Sequence, residues 1–254
     1  MIKALLFAFL IASFGFADEG SPKKILMLVV SSRTHPAYEK LEDIWRSYIH
    51  SDPERVEALF LRSDPNLPVR YEIRGDVLWA RTIDEIWPGI LCKTLLAIEH
   101  TLPRIDEFDY FIRTNLSSFF VLPRLYDFLA TLPKQRCYCG VEGTFDGYGS
   151  YVSGAGMILS TDLAKLLVEE QDQIPRRETF WDDVVVGKFF SDRKVPIIQA
   201  PRIDIPTVSA WLELKKDILF ERTEVYHFRL KNHDESIRAI DEVYVHSEIA
   251  NLFY

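Results

Sequence analysis

Apolar runs closed by polar residues set the outline of this chain. Lys24 to Ser32 (KILMLVVSS) is continuously apolar after a pair of lysines and runs into polar Ser-Ser-Arg-Thr. A run without alternation predicts a strand covered on both faces, the habit of a parallel sheet. His35-Pro36 then opens a helix over Tyr38 to Ile49, with Leu41, Ile44, Trp45 and Tyr48 spaced for one apolar face. Arg55 to Arg62 (RVEALFLR) reads as a second strand, and Tyr71 to Ala80 as extended chain broken at Gly75-Asp76. Trp87-Pro88-Gly89 starts a helix through Ile98, and Asp109 to Thr114 (DYFIRT) is a further strand. Strands alternating with helices predict an α/β fold with right-handed crossovers.

The second half keeps the alternation but loosens it. Pro123 to Leu132 is a helix, Cys137 to Glu142 a strand, and Gly143 to Gly149 a flexible loop. Tyr151 to Ser160 (YVSGAGMILS) reads as a Gly-interrupted strand, followed by a helix that Thr161-Asp162 caps. Phe180 to Phe190 reads as a helix, although its valine run also suits a strand. Val225 to Leu230 (VYHFRL) is strand-like and Ser236 to Phe253 helical. Without repeats, low-complexity tracts or a linker, one domain over residues 18–254 is the economical reading.

Met1 to Ala17 stands apart: Lys3, an apolar run from Ala4 to Phe16, then small residues at Gly15 and Ala17. The run is shorter than the roughly 20 apolar residues of a spanning helix, so a cleaved signal peptide is preferred to a short membrane anchor. That predicts a secretory-pathway lumen, or membrane association through the N-terminus, with secretion as a further possibility. The 254 residues are 48% hydrophobic with 11 Gly and 13 Pro, which excludes disordered and fibrous chains. A net charge of −8 argues against nucleic-acid binding, which needs clustered Lys and Arg. Cys92, Cys137 and Cys139 are too few for a disulfide framework, and an isolated Cys-x-Cys makes no zinc ribbon.

In open α/β sheets ligands bind beyond the carboxyl ends of the strands. The polar ends Ser31-Ser32-Arg33, Arg113 to Ser118 and Ser153-Gly154 would converge there. Asp182-Asp183 lies between Phe180, Trp181 and Val184 to Val186. Such acids are either charge complementing a helix N-terminus or a general base with a raised pKa. His227, Arg229 and Lys231 alternate along a strand-like segment, and are either a solvated basic face or an anion site in an acidic chain.

The order of these pieces resembles the GT-A glycosyltransferases of the β1,3-galactosyltransferase and fringe type. Gly75-Asp76-Val77-Leu78-Trp79 followed by Gly89 to Lys93-Thr94 is similar to the family's Gly-Asp strand and Lys-Thr helix. Phe111-Ile112-Arg113-Thr114-Asn115-Leu116-Ser117 lies where the family has a strand and then its acidic DxD motif. Tyr151 to Ser160 resembles Tyr-x-Ser-Gly-x-Gly-Tyr-x-Leu-Ser, and Asp182-Asp183-Val184-Val185-Val186-Gly187 resembles Glu-Asp-Val-x-x-Gly. The resemblance implies a GT-A-like mixed, mostly parallel sheet flanked by helices, and inverting transfer of a hexose-type sugar from a UDP-sugar to a hydroxyl of a glycan or glycoprotein. It implies Asp183 as general base and Asp182 as its orienting or acceptor-binding neighbour. Ser31, Ser32, Arg33, Lys93, Arg113, Asn115, Ser117, Arg229 and Lys231 would bind the nucleotide donor; Ser153, Gly154, Gly156 and Trp181 would line the sugar and acceptor cleft.

The chain departs from the family at the metal motif. Mn²⁺ and Mg²⁺ want carboxylate oxygens, and Asn115-Leu116-Ser117 supplies none. Either His227 stands as a remaining metal ligand, or Arg113, His227, Arg229 and Lys231 neutralise the diphosphate without metal. Asn115-Leu116-Ser117 is also an N-glycosylation sequon, one that would face the cleft. Two readings stay open: an active transferase, and a non-catalytic glycan- or nucleotide-sugar-binding relative. A hydrolase is disfavoured, because adjacent helical residues do not flank one glycosidic bond from both sides.

Overall fold

The structure is a computed structural model that describes residues 24–174 and 181–254. The predicted leader, residues 1–17, and Phe180 lie outside the described residues. The first half runs β1 (Ile25–Val30), α1 (Ala37–Ile49), β2 (Val56–Ser63), β3 (Tyr71–Arg74), β4 (Val77–Ala80), α2 (Leu91–Thr101) and β5 (Tyr110–Asn115). It continues through β6 (Ser118–Phe120), α3 (Leu122–Ala130), β7 (Tyr138–Gly140), β8 (Glu142–Phe145), β9 (Gly149–Val152) and β10 (Gly156–Ser160). The remainder is α4 (Thr161–Glu169), α5 (Asp182–Asp192), β11 (Ile197–Gln199), β12 (Arg202–Asp204), α6 (Val208–Phe220), β13 (His227–Arg229) and α7 (Glu235–Phe253).

The main sheet has the order β11-β7-β10-β5-β1-β2-β4-β3. Its centre, β5-β1-β2-β4, is all parallel, while β10 runs antiparallel to both β5 and β7, and β3 turns back on β4. This is the mixed, mostly parallel sheet that the resemblance implies, and its parallel centre is what the apolar runs predict. The unbroken run in β1 has a direct physical reason. Ile25, Met27 and Val29 enter one core with Leu41 and Trp45 of α1, whereas Leu26 and Leu28 enter the other with Leu95 of α2. Successive strand residues face opposite sides, so a central strand covered by helices on both faces must be apolar at every position. α1, α3, α6 and α7 contribute to the first core; α2, α4 and α5 contribute to the second.

Several local expectations are corrected. Tyr151 to Ser160 is two strands in two sheets: β9 pairs with β8 as a separate hairpin, and β10 joins the main sheet after a turn closed from Gly156 N to Ser153 O. The expected flexible loop over 143–149 is that hairpin, whose glycines Gly147 and Gly149 take positive φ. Thr161 and Asp162 do not cap α4. The Thr161 hydroxyl donates to the Phe108 carbonyl, and Asp162 accepts from the Arg136 amide. In α1 the buried companion of Leu41, Trp45 and Tyr48 is Glu42 in place of Ile44. The helix α6 was not anticipated, because Trp211 and Ile218 alone are fully covered along it and Leu212 and Phe220 are exposed. No helix among the described residues is long and apolar enough to cross a membrane.

Candidate active site

The parallel strands deliver their carboxyl ends to one edge of the sheet, where Val30 at the end of β1 stands beside Asn115 at the end of β5. A cavity of about 680 Å³ opens there. Of the residues singled out from sequence, Ser31, Ser32, Lys93, Arg113, Asn115, Ser117, Ser153, Trp181, Asp182, Asp183, Arg229 and Lys231 all line it. Convergence of segments from six elements and their loops on one cavity is the placement expected for a ligand site in an open α/β sheet.

The two acids at the start of α5 have different fates. Asp182 is 6% exposed and accepts from Arg113 Nη2 at 2.6 Å. Burial pushes its carboxyl up to about 6, against the opposing pull of Arg113. Arg113 Nη1 also donates to the Gly154 carbonyl, so this guanidinium is engaged on two sides. Asp183 is half-buried; its Oδ2 accepts from Gly154 N at 2.9 Å and its Oδ1 from Val184 N at 3.0 Å. Gly154 therefore links the buried ion pair to the cavity-facing carboxylate. Trp181, 51% exposed, stands at the N-cap and meets Phe145 edge-on at 5.9 Å.

The strand-end serines are tied inward. The Ser31 hydroxyl donates to Glu42, which is buried and also takes both Arg62 (3.0 and 2.6 Å) and Arg46 (3.0 Å). Lys93, 1% exposed, donates to the Ser31 carbonyl at 2.9 Å and to Asp84 Oδ1 at 2.8 Å. Burial pulls the Lys93 ammonium down and Asp84 opposes this. The Ser32 hydroxyl donates to the same Asp84. Asp84, which lies between the Gly75 to Trp79 and Gly89 to Thr94 pieces and belongs to neither, organises this side of the cavity.

Four assignments are corrected by position. Arg33 leaves the cavity and lies over the Trp79 ring at 4.4 Å. Gly154 and Gly156 do not line it; they make room for side chains behind it. A Cβ on Gly154 would lie 1.8 Å from Arg113 Nη1, and one on Gly156 2.3 Å from His227 Cε1. His227 is buried, with Nε2 at 3.2 Å from the Ser118 hydroxyl and its ring stacked on Phe120 at 4.4 Å. Burial, then Arg202 and Arg229, hold the imidazole well below its ordinary pKa. A neutral ring enclosed this way is neither a cation for a diphosphate nor a ligand facing the cavity.

The turn between β5 and β6 offers a hard divalent cation no carboxylate. Asn115 Oδ1 accepts from Ser117 N at 3.2 Å, the Ser117 hydroxyl donates to Glu242 Oε2 at 3.2 Å, and Leu116 is buried. Among the described residues no cluster of three or more His, Cys, Asp and Glu side chains is placed to hold a metal ion. The cations of the far wall are Arg229, Lys231 and Arg238. Arg229 lies beside Arg202, and its buried Nε has no hydrogen-bond partner. Sequence reasoning missed Asp84, Tyr38, Tyr151 and Arg238, all of which line the cavity, and Glu242 behind them. Arg238 and Glu242 stand four apart on α7, a spacing that ordinarily marks a surface ion pair.

No family model matches the chain, and no curated protein matches it. Among solved structures, the apo-form glycosyltransferase GlyE of Streptococcus pneumoniae TIGR4 aligns with a TM-score of 0.46 at 11% identity. The alignment covers 91% of this chain and 64% of that one, so the chain spans less than two thirds of that structure's length.

Proposed function

We propose that this chain is an inverting glycosyltransferase of the β1,3-galactosyltransferase and fringe type, moving a hexose-type sugar from a UDP-sugar to a hydroxyl of a glycan or glycoprotein. The observation that carries the reading is the division of labour at the start of α5. Asp182 is buried and paired with Arg113, while its neighbour Asp183 presents a carboxylate to the cavity, fixed by two backbone amides. A carboxylate held in one orientation beside open space is what a general base requires.

In the proposed reaction the acceptor oxygen bonds to the anomeric carbon from the face opposite the leaving group, and its proton passes to Asp183. The bond from that carbon to the diphosphate oxygen breaks, and its electron pair leaves with the diphosphate. Arg229 and Lys231, on the wall of the same cavity, supply positive charge where the leaving group gains negative charge. The exposed Trp181 ring, adjacent to the base, offers an apolar face for a pyranose. No step is assigned to a divalent metal, because Asn115 and Ser117 occupy the turn where carboxylates would be needed. The leader-like segment at Met1 to Ala17 supports an acceptor met in a secretory lumen or at a membrane surface.

The test is a screen of nucleotide sugars and glycan acceptors with the full chain and with Asp183→Asn. Loss of the base is expected to lower turnover roughly 10²–10⁴-fold, with donor affinity and melting temperature unchanged. Turnover of the variant at the parent rate would remove Asp183 from the role. Tight donor binding by a parent that turns over none of the donor and acceptor pairs would favour the non-catalytic binding relative, the reading that Asn115 and Ser117 support.

A further inference from the structure

The turn between β5 and β6, Asn115-Leu116-Ser117, is held from behind by the last helix. Glu242 of α7 is fully buried; its Oε1 accepts from Arg238 Nε at 2.8 Å and from Asn232 N at 3.1 Å, and its Oε2 from the Ser117 hydroxyl. The Ser117 carbonyl accepts from Leu230 N at 2.7 Å, and Arg238 Nη2 reaches the Ser117 hydroxyl at 3.4 Å. Asn232 Nδ2 is anchored in turn on Asp241 at 2.8 Å. One carboxylate therefore ties together the strand turn, the segment after β13 and the guanidinium of Arg238. That guanidinium is nearly covered, yet it lines the cavity with Arg229, Lys231 and Asn115.

We infer that this wall binds the diphosphate of a nucleoside diphosphate directly, without a divalent cation, with Arg238 as a phosphate contact and Glu242 as the positioning residue that fixes it. The nucleotide as ligand rests on the transferase reading above; the wall itself rests on its own geometry. A guanidinium is a planar fork of donors matched to phosphate oxygens, and one locked in place loses little entropy on binding. Arg229, half-buried with an Nε that finds no acceptor in the protein, adds a second fork on the same wall. Of the carboxylates bordering the cavity, Asp182 is paired with Arg113 and Asp84 with Lys93, while Asp183, held by the Gly154 and Val184 amides, is near enough to Arg229 to act on its charge. Glu242 serves the geometry of the wall more than its charge, because it fixes the turn and the cation together.

The test is calorimetric titration of the full chain with inorganic pyrophosphate and with UDP, once in Mn²⁺ and once in EDTA. Equal affinity in the two conditions is expected. Arg238→Met should weaken both ligands about ten- to hundred-fold, the scale of one lost hydrogen-bonded charge contact, and Arg238→Lys should recover part of that loss. Glu242→Gln separates positioning from charge. Removing a mere counter-charge would tighten anion binding, whereas loss of a positioning group weakens it severalfold, and weakening is expected. Binding that requires Mn²⁺, the absence of pyrophosphate binding, an Arg238→Met variant that binds as the parent does, or a tighter Glu242→Gln variant would each overturn the inference. Manganese-dependent UDP binding with sugar turnover would overturn it and leave the transferase reading standing. Pyrophosphate binding in EDTA without turnover of nucleotide sugars would do the reverse.

Discussion

Arg113 and Asp182 are each more than nine-tenths buried as side chains, and each is the other's charge partner. Breaking such a pair leaves a bare charge in the interior, so Arg113→Met is expected to lower the unfolding free energy by about 3–5 kcal/mol. Chemical denaturation of parent and variant measures it. A second consequence at this scale concerns acid. His246 of α7 is buried between the Glu242 carbonyl (2.8 Å from Nδ1) and the Ser118 carbonyl (3.3 Å from Nε2), and burial holds its ring down to about 4. The unfolded chain takes up that proton near the ordinary histidine value of about 6.5, and the folded chain does so only near 4. The stabilisation is therefore complete above about pH 6.5 and is lost progressively as pH falls towards 4, on the order of 3 kcal/mol in all. His227 is depressed in the same direction. Melting temperatures taken from pH 7 to pH 4.5 should fall less steeply in His246→Gln than in the parent.

Between elements, α5 approaches β9 closely beside the proposed base. A Cβ added at Gly187 would lie 2.4 Å from Tyr151 Cβ and 2.8 Å from its Cα, neither of which can swing aside. Gly187→Ala should thus cost about 1–3 kcal/mol despite alanine's better helix propensity, and should slow transfer by displacing the helix end that carries Asp183. Calorimetric melting and turnover of the variant check both. On the opposite core, Glu42→Ala strands Arg62 and frees Ser31, and a loss of about 3 kcal/mol or more is expected in denaturant titration. The same packing explains what could be read from sequence. The place of Ser31, Ser32, Asn115 and the Asp182-Asp183 pair on the cavity was legible because a strand end or an acid among apolar neighbours is a local signal. Glu242 and Arg238 were not, since burial of a helical i,i+4 pair is decided by elements far along the chain. The break between β9 and β10 was hidden for a related reason: both halves of Tyr151 to Ser160 have strand composition, and only the partner strands, β8 against β5 and β7, divide them.

Across the whole molecule, an excess of acid in the sequence coexists with a wall of Arg229, Lys231 and Arg238 at one sheet edge. That contrast localises attraction for an anion to one cavity, and net charge alone would not have found it. The parallel centre of the sheet and its two helical coverings were readable from the apolar runs, whereas the three-stranded sheet β12-β13-β6 was not, because each of its strands is three residues long. The cavity takes its residues from nearly the full described length, from Val30 to Arg238. α7 packs against α1, and the Ser117 to Glu242 hydrogen bond spans 125 positions. During synthesis the first strands leave the ribosome long before Glu242 does, so the turn at Asn115 to Ser117 waits without its carboxylate while the 125 positions up to Glu242 are translated. Contacts of such sequence separation are slow to form. Nascent chains stalled before Asp234 has emerged should remain protease-sensitive around that turn, and resistance should arrive only with release of the final helix.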